Sequence, residues 1–445
     1  TSPIARGRIS SCDVEAARAC PGIAAVLTAQ EIPGANRIGP IFHDEPLLAE
    51  DEVSYVGQPV AVVVGTSYEA CRAAEAKVRI DYTEATPIFS IEEAIAANSF
   101  HGEPHRIARG DVEAALAKAD HVIRGTLGSG AQDHFYLETQ AALAMPLEDG
   151  NLHVYSSTQH PSEVQHMVAA TLGIGQHRAV CEVPRMGGGF GGKESQAAQW
   201  ACIAALGAFI TGRACKMRLD RDDDMIATGK RHDFDVDYTA GFDSGGILKG
   251  VDVNFAARCG NSLDLSLGVV DRTMFHADNS YFFPYYKIHS ERVKTNTVSN
   301  TAFRGFGGPQ GAIAIENIIE NIARELNKDA LDIRKVNFYG TEDRNVTPYK
   351  QTVEDNIIHE LVDKLEHNSD YKKRREAIKA FNQSSPILKK GMSLTPVKFG
   401  ISFNMVHFNQ AGSLVHVYTD GSILVNHGGT EMGQGLNTKV AQVVA

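Results

Sequence analysis

Seven cysteines and a single tryptophan in 445 residues leave little of either for special chemistry. None of Cys12, Cys20, Cys71, Cys181, Cys202, Cys215 and Cys259 stands in a C-x-x-C spacing. That spacing argues against a zinc ribbon or a ferredoxin-type cluster in this chain. The odd count and low density fit free thiols in a reducing compartment, most of them small core residues. Basic excess is lacking too: 43 Lys+Arg against 54 Asp+Glu give a net charge of −11, without long single-sign blocks. A nucleic-acid partner would ask for a basic patch, so none is expected. The longest apolar stretch, Trp200 to Ile210, falls far short of the roughly 18 residues a membrane span needs. The opening Thr-Ser-Pro-Ile-Ala-Arg has no initiator Met and no apolar signal core. It reads as a fragment, a processed subunit or a trimmed chain, with the cytoplasm as the expected location.

What is present is ordinary for a protein with real cores, 43% hydrophobic and 22% charged. Length alone suggests about three domains. The first, residues 1–105, reads as compact α+β. Pro59 to Val64 suits a buried strand, Thr66-Ser-Tyr-Glu69 a capping box for a helix to about Lys77, and Val78 to Tyr82 another strand. Ser90-Ile-Glu-Glu93 is a second capping box, and the polar stretch His101–Arg109 is the expected linker. Residues 106–340 mix hairpins and helices. Asp149-Gly150 and Asp243–Gly246 separate strand-like runs, the second between Phe234–Tyr238 and Val251–Phe255. Gln196 to Thr211 reads as a buried helix. Ile315, Ile318, Ile319, Ile322 and Leu326 form one apolar helical stripe. From 341 to 445 come a charged helical stretch (Glu354–Phe381), a loop at Gln383–Pro386, a hairpin around Asp420-Gly421, and a helix from Leu436. Because the chain stops inside that helix, the last domain is expected to be incomplete.

Three glycine-rich loops dominate: Arg185–Glu194 (RMGGGFGGKE), Phe303–Gln310 (FRGFGGPQ) and Gly428–Gly435 (GGTEMGQG). Glycine lets backbone N–H groups converge on an anion or oxo group. The first loop matches G-x-G-x-x-G, but no βαβ unit follows. It also matches G-x-x-x-x-G-K, yet Glu194 stands where a magnesium-binding Ser or Thr is required. A carboxylate facing triphosphate would repel it, so a nucleotide reading fails. A neutral or weakly acidic substrate suits that carboxylate better.

Together with Gln132–Thr139 (QDHFYLET) and Lys398–Phe403 (KFGISF), these loops resemble, in order and over essentially the whole chain, the molybdenum hydroxylase family, nearest to its xanthine dehydrogenase branch. The resemblance implies an α+β fold: an α/β hammerhead-like domain followed by elongated molybdopterin-binding domains. It implies that Gln132 approaches the oxo ligand of molybdenum, that Gly189, Phe190 and Gly191 supply an N–H to the metal's oxygens, and that Arg304 lies beside the cofactor. Gln132, Phe190 and Arg304 would thus neighbour the metal through its oxo ligands without ligating it. Met432, Gly433 and Gln434 would contact the pterin. Glu194 and Arg272 would be the catalytic substrate anchors, since xanthine offers ring N–H groups to an acceptor and carbonyls to a cation. Phe306 and Phe403 would sandwich the ring, and Asn404 would touch substrate where relatives carry Thr. His407 lies where an aromatic is common.

The activity implied is hydroxylation of hypoxanthine and xanthine to urate with water-derived oxygen. Electrons would leave through a partner region holding two [2Fe-2S] clusters and FAD, to NAD, in an oligomer of heterodimers. The family's glutamate base sits in a Gly-x-Gly-Glu segment beyond the last glycine loop, and none lies between Gly435 and Ala445. Two other readings stay open: a related hydroxylase acting on an aldehyde or an N-heterocyclic acid, and a non-catalytic cofactor or assembly chain.

Overall fold

The computed structural model describes residues 1–445. At the N-terminus, strand Gly7–Asp13 pairs antiparallel with both Glu52–Val53 and Arg79–Glu84, beside a second pair, Ile23–Leu27 with Val62–Gly65. The helix Tyr68–Glu75 packs on this layer through Ala74, near Val14, Ala17, Cys20 and Val26. Its cap is Ser67, one residue later than the sequence pattern places it: the Ser67 hydroxyl accepts from Ala70 N–H, and no reciprocal box with Glu69 forms. At Ser90 the box is complete, with Glu93 returning the bond.

The segment expected to be a linker is partly a strand. His105–Arg109 forms the edge of a five-stranded sheet, antiparallel to Tyr286–Ser290. Edge strands are half solvated and carry polar residues, so the polar sequence masked it. Arg109 Nε donates to Pro284 O at 3.1 Å, and its guanidinium lies 5.1 Å over the rings of Phe282 and Tyr286. The sheet continues through Tyr286–Lys294, Leu248–Gly260, Phe234–Phe242 and His121–Ser129. The hairpin expected at Asp243–Gly246 joins two of these strands, both longer than the sequence suggests. Helix Gly308–Glu325 lays its isoleucine stripe against this sheet, beside helix Ser266–Phe275.

A four-stranded sheet, Ala179–Glu182, Leu152–Ser156, Ala141–Pro146 and Cys215–Arg218, supports helix Ala197–Thr211. That helix is buried from Ala197 to Ala208, as its apolar composition demands. The charged stretch expected as one helix is two, Ile358–Asn368 and Tyr371–Ser384. They break at Asp370, whose φ of +50° is left-handed, a conformation Asp tolerates better than most. The strands Ser413–Val417 and Ile423–His427 form the expected hairpin, and helix Leu436–Val444 follows. Of the cysteines, only Cys20, Cys202 and Cys259 are buried; Cys12 is exposed and the other three half-buried. No helix is long and apolar enough to cross a membrane.

Candidate active site

The three glycine loops, spread along residues 185–435, meet. Arg304 N–H donates to Phe190 O at 2.8 Å, and Met186 N–H donates to Glu431 O at 2.9 Å. The shared Gly-Phe-Gly-Gly produces one turn twice: Phe190 and Phe306 both have positive φ (+55° and +47°), as do the following Gly191 and Gly307 (+98° and +90°). A β-carbon at Gly191 would stand 2.6 Å from Ala302 O, and one at Gly307 2.0 Å from Val269 O, so glycine is required at both. The N–H groups of Gly188, Gly189 and Phe190 find no acceptor in the fold. Lys193 does not face this opening. Its ammonium is fully buried behind the loop, 3.0 Å from Glu138 Oε2 and 2.6 Å from Ser157 Oγ, and 4.7 Å over the Tyr136 ring. Glu138 also accepts from Gly187 N–H.

Sequence reasoning missed Gln159. Its Oε1 accepts from Gly191 N–H at 2.8 Å, and a β-carbon at Gly189 would strike its side chain at 2.5 Å. The Nε2 of Gln159 is left without a partner at the loop. Gln132 sits instead beside the second loop, its Oε1 accepting from Arg231 Nε at 2.8 Å. Arg231, also missed, donates through Nη2 to Arg304 O at 3.0 Å and stacks 3.9 Å over Phe303. The available signal was positional: Ser157-Thr-Gln159 is a polar run directly after a buried strand, and Arg231 stands in the short loop three residues before strand Phe234–Phe242. The exposed Arg304 side chain has no partner.

Around the expected substrate position, helix Ser266–Phe275 is the ruler. Glu194 lies near its N-terminal end, because the adjacent Ser195 Oγ donates to Asp264 at 2.8 Å. The Glu194 carboxyl makes no hydrogen bond and is pushed up to about 7, by burial first and then by Glu163. His160, 2.9 Å from Glu163 Oε2, is raised by that bond and offsets part of the effect. Asp264, also pushed up to about 7 by burial, differs in being fully bonded, to Ser195, Gln196 and Thr301. Arg272, one helical turn beyond Gly268, is buried with no carboxylate partner. Its Nη1 donates to Ser402 O at 2.9 Å, its Nε is buried without an acceptor, and it lies 4.8 Å over Phe399.

The expected sandwich is not there. Phe306 and Phe403 meet over Gly268, but with centroids 5.4 Å apart at 65°. Rings that touch edge-to-face leave no slot between them; they offer one face and one edge, the arrangement aromatic quadrupoles prefer. Asn404 Nδ2 donates to Gly268 O at 2.9 Å, which leaves its buried Oδ1 as the free group. Met432 to Gln434 turn inward as well. Gln434 Oε1 accepts from Met432 N–H, and its Nε2 donates to Thr430 O, so both ends of its amide are spent within its own loop. His407 packs 4.3 Å from Phe408 at the rim.

A strap, Lys398 to Asn404, holds these groups in place by alternate residues. Lys398 N–H meets Asn279 Oδ1 at 3.0 Å, Gly400 N–H meets His276 Nε2 at 3.0 Å, Ser402 O meets Arg272, and Asn404 meets Gly268. His276 Nδ1 lies 2.8 Å from Arg272 O, so the ring must be neutral with the proton on Nδ1; burial pushes it down to about 4.

The residues present suit an anionic, oxo-bearing group: free loop N–H donors, the unpartnered Gln159 amide and cations lacking acids. No group of three His, Cys, Asp or Glu residues could hold a bare metal. A metal here would bring its own ligands. The family described as molybdopterin cofactor-binding domain matches residues 94–338, and a second such domain matches 364–445. The chain belongs to the molybdopterin cofactor-binding family. Residues 1–86 match the a/b hammerhead domain of aldehyde oxidase and xanthine dehydrogenase. The xanthine dehydrogenase of Dictyostelium discoideum is 44% identical over 99% of this chain, and xanthine dehydrogenase 1 of Arabidopsis thaliana 45% over 100%. This chain spans about a third of each, 32% and 33%. Quinoline 2-oxidoreductase of Pseudomonas putida shares the fold at a TM-score of 0.87 and 25% identity, over all of this chain and 60% of its own. Aldehyde oxidoreductase of Desulfovibrio desulfuricans does so at 0.87 and 21%, over 96% of this chain and 48% of its own.

Proposed function

We propose that this chain carries the substrate anchors and part of the cofactor cradle of a xanthine-oxidising molybdenum hydroxylase. The observation that carries the reading is the spacing along helix Ser266–Phe275. Ser195 holds the neighbouring unpaired carboxyl, Glu194, near the N-terminal end of that helix, and the uncompensated guanidinium of Arg272 lies toward the other end, one turn past the aromatic pair at Gly268. One helical turn, about 6 Å, separates Gly268 under the rings from Arg272. A purine carrying N–H at one edge and a carbonyl at the other would offer one edge to Glu194 and the other to Arg272.

The anchors' roles follow from their surroundings. Glu194, with a carboxyl near 7, exists in both protonation states at neutral pH, so it accepts from a ring N–H or donates to a ring nitrogen. Arg272, with no acid to neutralise it, is best satisfied when negative charge spreads onto a substrate carbonyl during attack. The Phe306 and Phe403 rings exclude water and fix the plane of the purine. Gln159 and the free N–H groups at Gly188–Phe190 would hold the cofactor's oxygens, with Gln132 and Arg304 on its other flank. When bound, the molybdenum–pterin group supplies the two-electron acceptor and the Lewis acid that makes water nucleophilic near neutral pH. Iron–sulfur and FAD partner regions, and NAD, belong to the same proposal, as do the domain limits 1–105, 106–340 and 341–445.

A turnover panel on the holoenzyme tests it, with xanthine, an aldehyde and an N-heterocyclic acid as substrates. Xanthine is expected to give the highest kcat/KM, and Glu194→Ala to erase that preference. An aldehyde preferred by wild type and unaffected by Glu194→Ala would overturn it.

A further inference from the structure

Among the buried cations of this chain, Arg231, Arg272 and Arg292 face no carboxylate, and Arg231 is the one that bonds both the Gln132 segment and the second glycine loop. Lys193 and Arg334 each face a carboxylate within 3.0 Å. Arg231 is 8% exposed and faces none. Its Nη1 is buried with no acceptor, while Nε and Nη2 are taken by Gln132 Oε1 and Arg304 O. Leaving a buried charge without a counter-charge is costly. Nor is it placed at random. Phe303 packs against both this guanidinium at 3.9 Å and the His134 ring at 4.6 Å, and His134 Nε2 itself lies 2.7 Å from Ala302 O. Arg304 N–H in turn bonds Phe190 O of the first loop. One side chain therefore ties the Gln132 segment, the Phe303–Arg304 turn and, through it, the Gly-Phe-Gly turn at Phe190.

We propose that Arg231 is a positioning residue with a second duty: it sets the geometry of the cofactor cradle from behind and supplies the fixed positive charge that balances an anionic cofactor. The inference rests on the cofactor reading above and adds to it the source of the compensating charge. Lys could keep the charge but not the fork, because an ammonium cannot present two fixed parallel donors to Gln132 and Arg304. Burial lowers the Arg231 pKa to about 10, which still leaves the group charged at neutral pH.

The test uses the holoenzyme with Arg231→Met and Arg231→Lys, and reads molybdenum per chain, the molybdenum midpoint potential by dye-mediated titration, and Tm with and without cofactor. Arg231→Met is expected to lose molybdenum at least tenfold and to lower the potential in whatever fraction stays loaded, because removing a nearby cation disfavours the more negative reduced form. The rise in Tm on loading should fall by at least half, while the cofactor-free Tm moves by only a few degrees. Arg231→Lys should restore the potential while binding molybdenum less well than wild type. A role confined to packing would lower both Tm values equally and leave the potential alone; that result overturns the inference, as does wild-type molybdenum content and potential in Arg231→Met. If both variants fail to accumulate as soluble protein, Arg231 is a folding residue and the inference falls. Wild-type holoenzyme without molybdenum would instead overturn the functional reading beneath it.

Discussion

The back and front of the first glycine loop treat buried charge in opposite ways. Behind it, Lys193 is fully buried, yet Glu138, Ser157 and the Tyr136 face satisfy it completely. In front, Arg272 is nearly as buried and has only one carbonyl, with its Nε unpartnered. The two acids repeat the contrast. Asp264 and Glu194 are both pushed up to about 7 by burial, but Asp264 is bonded by three side chains and Glu194 by none. A satisfied buried charge is scaffold. An unsatisfied one marks where something else completes the shell.

If the contrast holds, the largest effect belongs to the front. Arg272→Met should lower kcat for xanthine by about 100–1000-fold, the span for removing a donor to developing charge. A substrate without the matching carbonyl should lose far less, and equal losses would make Arg272 scaffold after all. Next, Glu194→Ala should lower kcat/KM for xanthine by about 10–1000-fold through one or two charge-assisted hydrogen bonds. Molybdenum content should stay unchanged, which elemental analysis checks.

At the back the signs reverse. Lys193→Met should cost roughly 2–4 kcal/mol of stability, tempered because Glu138 is half open to water. It should lower the urea midpoint while leaving kcat per molybdenum within about threefold. The smallest effect sharpens the pair of acids. Both carboxyls lie above their unfolded values of 4.5 and 3.8, so the folded protein holds extra protons between pH 4 and 7. Their contribution is complete below about pH 4 and is lost as pH rises through 7. Glu194→Gln removes one such titration without breaking a hydrogen bond. Its Tm should therefore gain on wild type between pH 5 and pH 8, by scanning calorimetry. Asp264→Asn, which must break an acceptor bond, should lose Tm at both.

Much of this was legible in sequence because it is local. The isoleucine stripe, the hairpin at Asp243–Gly246 and the paired Gly-Phe-Gly-Gly turns depend on neighbours within a few residues. What escaped depends on contacts far along the chain. The strand at His105 is made by residues near 288, and its polar edge looks like a loop. Gln159 gains meaning only when Gly191 closes over it, and Arg231 only when Gln132 and Arg304 arrive from either side. The supposed aromatic sandwich failed for a different reason: residue type fixes what a ring can do, but not the angle at which it meets another.

The strap from Lys398 to Asn404 has a consequence for how this pocket can change. Two residues of extended chain advance about 6.6 Å, and four residues of helix about 6.0 Å, so the two periods nearly coincide. Rungs at 268, 272 and 276 can therefore be matched by 404, 402 and 400, and the turn that follows the helix brings Asn279 to 398 after only three residues. The mismatch of about 0.6 Å per rung accumulates, which limits such a vernier to a few teeth. A single inserted residue between Lys398 and Phe403 would move every alternate group to the wrong side and carry the Phe403 ring away from Gly268. Substitutions along the strap tune the pocket; a change in its length would replace it.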